Sequence, residues 1–200
     1  MDNTQTMSST RSTDFTNGNL PPQPMMTDVQ TLRARARQDI EAGAITPAYT
    51  ANREAVVKLL NEALATELVC VLRYKRHYYT ASGIHSEGVA AEFLEHATQE
   101  MQHADQIAAR IIQLGGDPDF HPDRLTRSSH AEYNEAKALH EMIKENLIAE
   151  RIAIDSYREM INFVGTDDST TRRMLEEILA VEEEHAEDLA SLLDQFRSAN

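Results

Sequence analysis

Glu67, Glu100-Met101-Gln102-His103, Glu150 and Glu182-Glu183-Glu184-His185 recur along a 200-residue chain, each inside a long amphipathic stretch. A Glu and a His three positions apart share one helical face, with Cβ atoms about 5–6 Å apart, so both can reach one metal ion. A single Glu-x-x-His is weak evidence, and Glu182-Glu183-Glu184 alone reads equally well as a solvated acidic face. Two such pairs with two further glutamates, on four helices, form a much more specific pattern for a dinuclear carboxylate site inside a helical bundle.

Outward from these residues, apolar spacing predicts four long helices. The first spans about 51–82, carries Val56, Leu59, Leu60, Ala63, Leu64, Leu68 and Val71 on one face, and ends at Gly83. The second spans about 86–114, with Ser86 as N-cap and Gly115-Gly116 as its stop. The third spans about 131–164 and ends at Gly165; the fourth runs from Asp168 or Ser169 to about Phe196. No segment reads as a strand. Short links make the first pair and the last pair antiparallel hairpins. The connection between the pairs, about 16 residues containing Pro118 and Pro122, is long enough to cross the height of a bundle. The expected fold is therefore all-α, a four-helix bundle of two hairpins joined by one long crossover.

Height supports the site. Glu67 and Glu100 each lie about 15 residues from the first turn, and Glu150 and Glu182 about 15 from the last. At about 1.5 Å rise per residue, all four meet near mid-bundle.

Residues 1–27 are rich in Ser, Thr, Asn, Gln and Pro without periodicity and read as a disordered tail. Residues 28–50 read as a short helix and linker capped by Thr27 or Asp28, with Arg33, Arg35 and Arg37 on a solvated face, and 51–197 as the bundle domain. Net charge is −14 with pI near 4.9, which argues against nucleic acid or anionic membrane as partner and suits attraction of cations. Cys70 is the only cysteine and reads as a small core residue in a reducing compartment. With no secretory signal and no apolar run of membrane-spanning length, a cytoplasmic location is expected.

Four carboxylates and two imidazoles make a mixed oxygen and nitrogen site. Two divalent ions would neutralise four carboxylates, which makes their burial tolerable. Glu100 and Glu182 are placed to bridge two metals, and Glu67 and Glu150 to bind one each, with positions left open for an oxidant. Tyr74, seven residues after Glu67, reads as a hydrogen-bond partner or electron donor, or as a core tyrosine. His77, His85, His96, His121, His130 and His140 read as surface or ordinary polar residues, with His96 the one candidate ligand on an access route.

At the run Leu60-Asn61-Glu62-Ala63-Leu64-Ala65-Thr66-Glu67-Leu68, at Glu100–Asp105 with Arg110, and at Glu182–His185, the chain resembles the bacterioferritins of the ferritin-like superfamily. The resemblance covers about residues 51–190. It implies a ferroxidase that oxidises Fe²⁺ with O₂ or H₂O₂ at a di-iron centre and stores the ferric product as a mineral inside a hollow homo-oligomeric shell. It places Glu67, Glu100, His103, Glu150, Glu182 and His185 as di-iron ligands and Tyr74 as the neighbouring tyrosine. Met101 matches a methionine that ligates haem b between subunits, although a methionine filling a dimer interface fits the same spacing. The long N-terminal segment and the absence of a fifth helix after His185 are instead similar to Dps-like proteins, so twelve subunits are favoured over twenty-four. The alternatives are a non-storage di-iron or di-manganese enzyme, rubrerythrin-like or manganese-catalase-like, and a DNA-protecting Dps-type stress protein. No Cys-x-x-Cys module supports the rubrerythrin version, and the acidic, Lys-free tail weighs against DNA.

Overall fold

The computed structural model describes residues 26–198, so the expected tail, residues 1–27, lies almost wholly outside the described residues. The fold is all-helical: α1 (Val29–Arg35), a 3₁₀ turn (Ile40–Ala42), α2 (Arg53–Thr80), α3 (Ser86–Gln113), α4 (Pro122–Ser128), α5 (Leu139–Val164) and α6 (Ser169–Ser198). Among the described residues there is no strand. The main packing is α2 on α3 and α5 on α6, with further contacts of α2 with α5, α3 with α6, and α4 with α2.

Local signals account for several boundaries. Asp28 caps α1, its Oδ1 accepting from the amides of Gln30 and Thr31 at 3.0 Å each. Asn52 caps α2 through the Ala55 amide at 3.1 Å. Gly165 closes α5 at φ 56°, a conformation that costs glycine little. Gly116 is needed for a different reason, since a Cβ there would lie 2.5 Å from Val57 Cγ1. Ser86 is not the N-cap of α3 but its first residue; its hydroxyl donates to Gly83 O at 2.8 Å.

The largest departure from expectation is α5, which begins at Leu139 rather than near Ala131. Residues 130–136 are held by side chains instead of by helical bonds. The His130 amide donates to Thr66 Oγ1 at 2.9 Å, and Arg73 and Arg76 donate to the carbonyls of Glu132 (3.0 Å) and Ala136 (3.1 Å). Asn134 Oδ1 accepts from the Ala136 amide at 2.7 Å. With its backbone groups satisfied this way, the segment has no need to be helical. The connection is therefore longer than expected and contains α4.

The core falls into two apolar clusters. One holds Leu60, Leu64, Ile107, Ile111, Tyr157, Met160, Leu175 and Ile178; the other holds Tyr74, Phe93, Ala97, Met142, Ile143 and Leu189. On every long helix the sequence between the two clusters contains a buried glutamate: Glu67, Glu100, Glu150 or Glu182. A polar layer thus divides the core at one level.

At one end, Asp168 ties three segments together. It caps α6 through the Thr171 amide (2.9 Å), receives Arg110 Nη2 on both oxygens at 2.7 and 2.9 Å, and accepts the Tyr49 hydroxyl at 2.9 Å. Only 4% of Asp168 and 8% of Arg110 are exposed, so removing either partner strands a buried charge. Asp168→Ala is expected to cost about 3 kcal/mol and to lower the thermal midpoint by roughly 6–12 °C, measured by calorimetry. A change of under about 1 kcal/mol would show that the pair is not structurally important.

Candidate metal centre

The polar layer collects Glu67 from α2, Glu100 and His103 from α3, Glu150 from α5, and Glu182 and His185 from α6, each no more than 4% exposed. Their ligand atoms form two groups, Glu67–Glu100–His103–Glu182 and Glu100–Glu150–Glu182–His185, each with all its atoms within 4.8 Å of one another. Glu100 and Glu182 belong to both.

The individual oxygens show why. Glu100 turns Oε2 toward His103 Nδ1 (3.6 Å) and Oε1 toward His185 Nδ1 (3.5 Å). Glu182 likewise offers Oε1 to His103 (2.9 Å) and Oε2 to His185 (3.9 Å). Each carboxylate divides its two oxygens between two imidazoles, which is the arrangement of a bridging ligand. Of the two imidazoles, Glu67 Oε2 faces His103 (3.4 Å) and Glu150 Oε2 faces His185 (4.0 Å).

The remaining oxygens of the two outer glutamates accept tyrosine hydroxyls across the core. Tyr74 of α2 donates to Glu150, and Tyr157 of α5 donates to Glu67. Sequence reasoning singled out Tyr74 but not Tyr157. The signal was present, because Tyr157 follows Glu150 by seven residues just as Tyr74 follows Glu67. Gln99 was also missed; its Oε1 lies 2.7 Å from His185 Nε2. A ring proton given to that amide oxygen leaves His185 Nδ1 as a lone pair facing the carboxylates.

A structural observation tests whether these residues suit cations. Nine buried polar side-chain atoms among the described residues lack a hydrogen-bond partner, and seven of them belong to the six residues of this layer. Buried polar atoms are ordinarily satisfied. An oxygen and nitrogen donor set with this many unused lone pairs fits divalent cations such as Fe²⁺ or Mn²⁺.

Without cations, protons must neutralise the layer. Burial pushes the Glu67 and Glu182 carboxyls well above the usual range, and the charge on Glu100 adds to it. Glu150 is raised for the same two reasons. Burial opposes a low value at Glu100 as well, but the neighbouring Glu67, His103 and His185 groups outweigh it and hold that carboxyl down. Burial also opposes a charged His103, yet the carboxylates of Glu100, Glu182 and Glu67 that face its ring push it up to about 12.

The other candidates fall in different places. Met101 lies beside Glu100 on α3, 38% exposed and outside both ligand groups. Cys70 is buried, as expected, with Arg73 Nη2 3.6 Å from its sulfur. His77 is no surface residue: it is fully buried, with Nδ1 3.1 Å from Asn146 Oδ1. His96 is also buried and stacks on His185 with ring centroids 4.0 Å apart. His121, His130 and His140 take polar contacts near the surface, and His85 packs edge-on against Phe196.

The two overlapping groups generate a specific expectation. Anaerobic titration with Fe²⁺ should fill two sites per chain in this layer and release protons, tightening as pH rises because the raised carboxyls must be deprotonated to bind. Glu67→Ala and Glu150→Ala should each lose one ion, whereas Glu100→Ala and Glu182→Ala should weaken both. Equal losses from all four variants would contradict the bridging assignment.

Comparison with known proteins gives the chain a family. The family described as the ferritin-like domain matches residues 57–199. A bacterioferritin of Mycobacterium avium is 31% identical over 144 residues, covering 70% of this chain and 84% of that protein. A nutrient stress-induced DNA-binding protein of Synechococcus is 29% identical over 137 residues, covering 67% and 78%. Among solved structures, a dodecameric thioferritin described as the bacterioferritin-related protein from Bacteroides fragilis superposes with a TM-score of 0.72 at 33% identity, covering 74% of this chain and 89% of that one.

Proposed function

Because the chain belongs to the ferritin-like domain family, we propose that it is a ferroxidase, which oxidises Fe²⁺ at a dinuclear site and stores or detoxifies the ferric product. The observation that carries this reading is the pair of ligand groups sharing Glu100 and Glu182, with seven unsatisfied donor atoms turned inward. Two Fe²⁺ held there each give up one electron, and the pair of electrons reduces O₂ to H₂O₂, or H₂O₂ to water, with two protons. Glu67, Glu150 and the bridging carboxylates supply the negative charge that stabilises Fe³⁺ over Fe²⁺. Tyr74 and Tyr157 fix the rotamers of the two outer glutamates, and Gln99 fixes that of His185.

The architecture proposed with this function is a bundle of two antiparallel hairpins, α2–α3 and α5–α6, joined by a long crossover carrying α4. Contacts at opposite ends of the α2–α3 pair support its antiparallel course: Tyr74 meets Phe93 on one side of the layer, while Leu60 and Ile107 share the cluster on the other. The short N-terminal helix with its linker (28–50) and the bundle (51–197) are the proposed units of the chain. The assembly proposed is a closed shell of twelve copies, a number supported by the likeness to a thioferritin described as dodecameric. A haem role for Met101 requires a second copy of the chain against the exposed side of α3. No helix of the described residues is long and apolar enough to cross a membrane, and a cytoplasmic setting completes the proposal.

Air admitted to Fe²⁺-loaded protein should give a fast ferric absorbance phase saturating near two irons per chain, then slower uptake of many more. Glu100→Ala should abolish the fast phase, and Tyr157→Phe should slow it by about 10–100-fold. Oxidation that stops at two irons, in a protein that sediments as a monomer or dimer, would favour a non-storage di-iron or di-manganese enzyme. The relative named for DNA binding supplies a further reading, opposed here by the net charge of −14.

A further inference from the structure

The buried layer repeats its ligands but not what flanks them. Arg73 stands six residues after Glu67, where Ser156 stands six after Glu150; His77 stands ten after Glu67, where Met160 stands ten after Glu150. His96, four before Glu100, is matched by Ile178, four before Glu182, and Asn146, four before Glu150, by Ala63, four before Glu67. Arg73, His77, His96 and Asn146 are all buried. Of their counterparts, Ala63, Met160 and Ile178 belong to the apolar cluster of Leu60 and Ile107, and Ser156 donates to its own helix, to Ala153 O at 3.0 Å.

Each outer glutamate belongs to one of these ends. Glu150 accepts from Tyr74, a member of the cluster that holds Phe93, whereas Glu67 accepts from Tyr157, a member of the cluster that holds Leu60. The polar end is the Glu150 end.

Arg73 gives that end a fixed charge. Only 1% of it is exposed, and its donors go to neutral acceptors: Asn146 Oδ1 at 2.9 Å, Glu132 O at 3.0 Å and Cys70 Sγ at 3.6 Å. Among the described residues no carboxylate forms an ion pair with it. Its Cζ lies 5.8 Å from the centroid of the Tyr74 ring, and Asn146, which it binds, is one helical turn before Glu150. Burial opposes the charge, while Cys70, Tyr74 and the carboxylates of Glu150 and Glu100 favour it, and the balance raises its pKa. Burial above all lowers His77 to about 4 and His96 to about 3, so both imidazoles are neutral near pH 7. The other buried arginine, Arg110, is neutralised by Asp168 on both oxygens.

We propose that Arg73 ranks the two metal positions of the layer: its uncompensated charge weakens the position built on Glu150 and His185, so the first divalent ion enters at Glu67 and His103. Arg73 touches neither ion and acts through space, as a positioning residue. The ranking rests on the two-ion reading of the layer. An ion entering beside His103 displaces a proton held up to about 12, but it brings two charges for the one removed, so the same field still favours it.

Anaerobic calorimetry of Mn²⁺ binding to the assembled full-length chain tests this. Glu150→Ala, which keeps the His103 position, should bind its remaining ion on the order of tenfold more tightly than Glu67→Ala binds its own, the scale of a unit charge some ångströms nearer in a medium of effective dielectric about 20. Equal affinities or the reverse order would overturn the ranking, and this comparison requires no change at Arg73. Arg73→Gln added to Glu67→Ala should restore that factor, and added to Glu150→Ala should change little; Arg73→Lys, which keeps the charge, should do neither. Equal effects of the Gln and Lys changes would assign the difference to lost hydrogen bonds and overturn the electrostatic role. Wild-type protein that binds two ions in ranked order but leaves Fe²⁺ unoxidised in air would defeat the ferroxidase reading alone, and two ions bound without the ranking would defeat this proposal alone.

Discussion

Four carboxylates in the dry middle of a helical protein are the constraint on which the rest of this structure depends. Burying one ionised carboxylate without compensation is prohibitive, and burying four within a few ångströms of one another is worse. Only positive charge can relieve them, from protons or from metal ions. The rise of Glu67, Glu150 and Glu182 above the ordinary carboxyl range, and of His103 to about 12, describes the proton solution. The unsatisfied atoms of the same residues describe the metal solution. A centre that must exchange one for the other is well suited to binding and releasing cations.

The surrounding core is arranged to hold this layer in place. Apolar clusters above and below exclude water, and the layer has an approximate two-fold pattern. Glu67 with Tyr74 on α2 matches Glu150 with Tyr157 on α5, and Glu100 with His103 on α3 matches Glu182 with His185 on α6. The crossed tyrosine bonds connect α2 to α5 through the ligands themselves. The main contacts otherwise run within the pairs α2–α3 and α5–α6, so these bonds help fix how one pair sits against the other. Arg73, fully buried beside the layer and bonded to Asn146 Oδ1 at 2.9 Å, adds a fixed positive charge on the same side as Glu150.

The helices and the six residues of the layer were legible because they depend on local periodicity. A three-residue spacing puts Glu and His on one face, and equal distances from a turn put two helices' glutamates at one height. Tyr157 was legible in principle through the repeated spacing of seven, but it needs the repeat to be noticed. The start of α5 was not legible. Residues 131–138 have helical composition, and what unwinds them is the reach of Arg73 and Arg76 from α2, some sixty positions away in sequence. The burial of His77 and His96 was hidden for a similar reason, since an imidazole on a helix looks the same in sequence whether it meets solvent or Asn146 and His185.

The central claim is that Glu100 and Glu182 bridge two metal ions within a single chain. Crystals loaded anaerobically with Fe²⁺ and measured for anomalous scattering at the iron edge test it most directly. Two peaks per chain about 3.5–4 Å apart, lying between His103 and His185 with an oxygen of Glu100 on each, are the predicted result. A single peak, or iron held only between neighbouring chains, would contradict it.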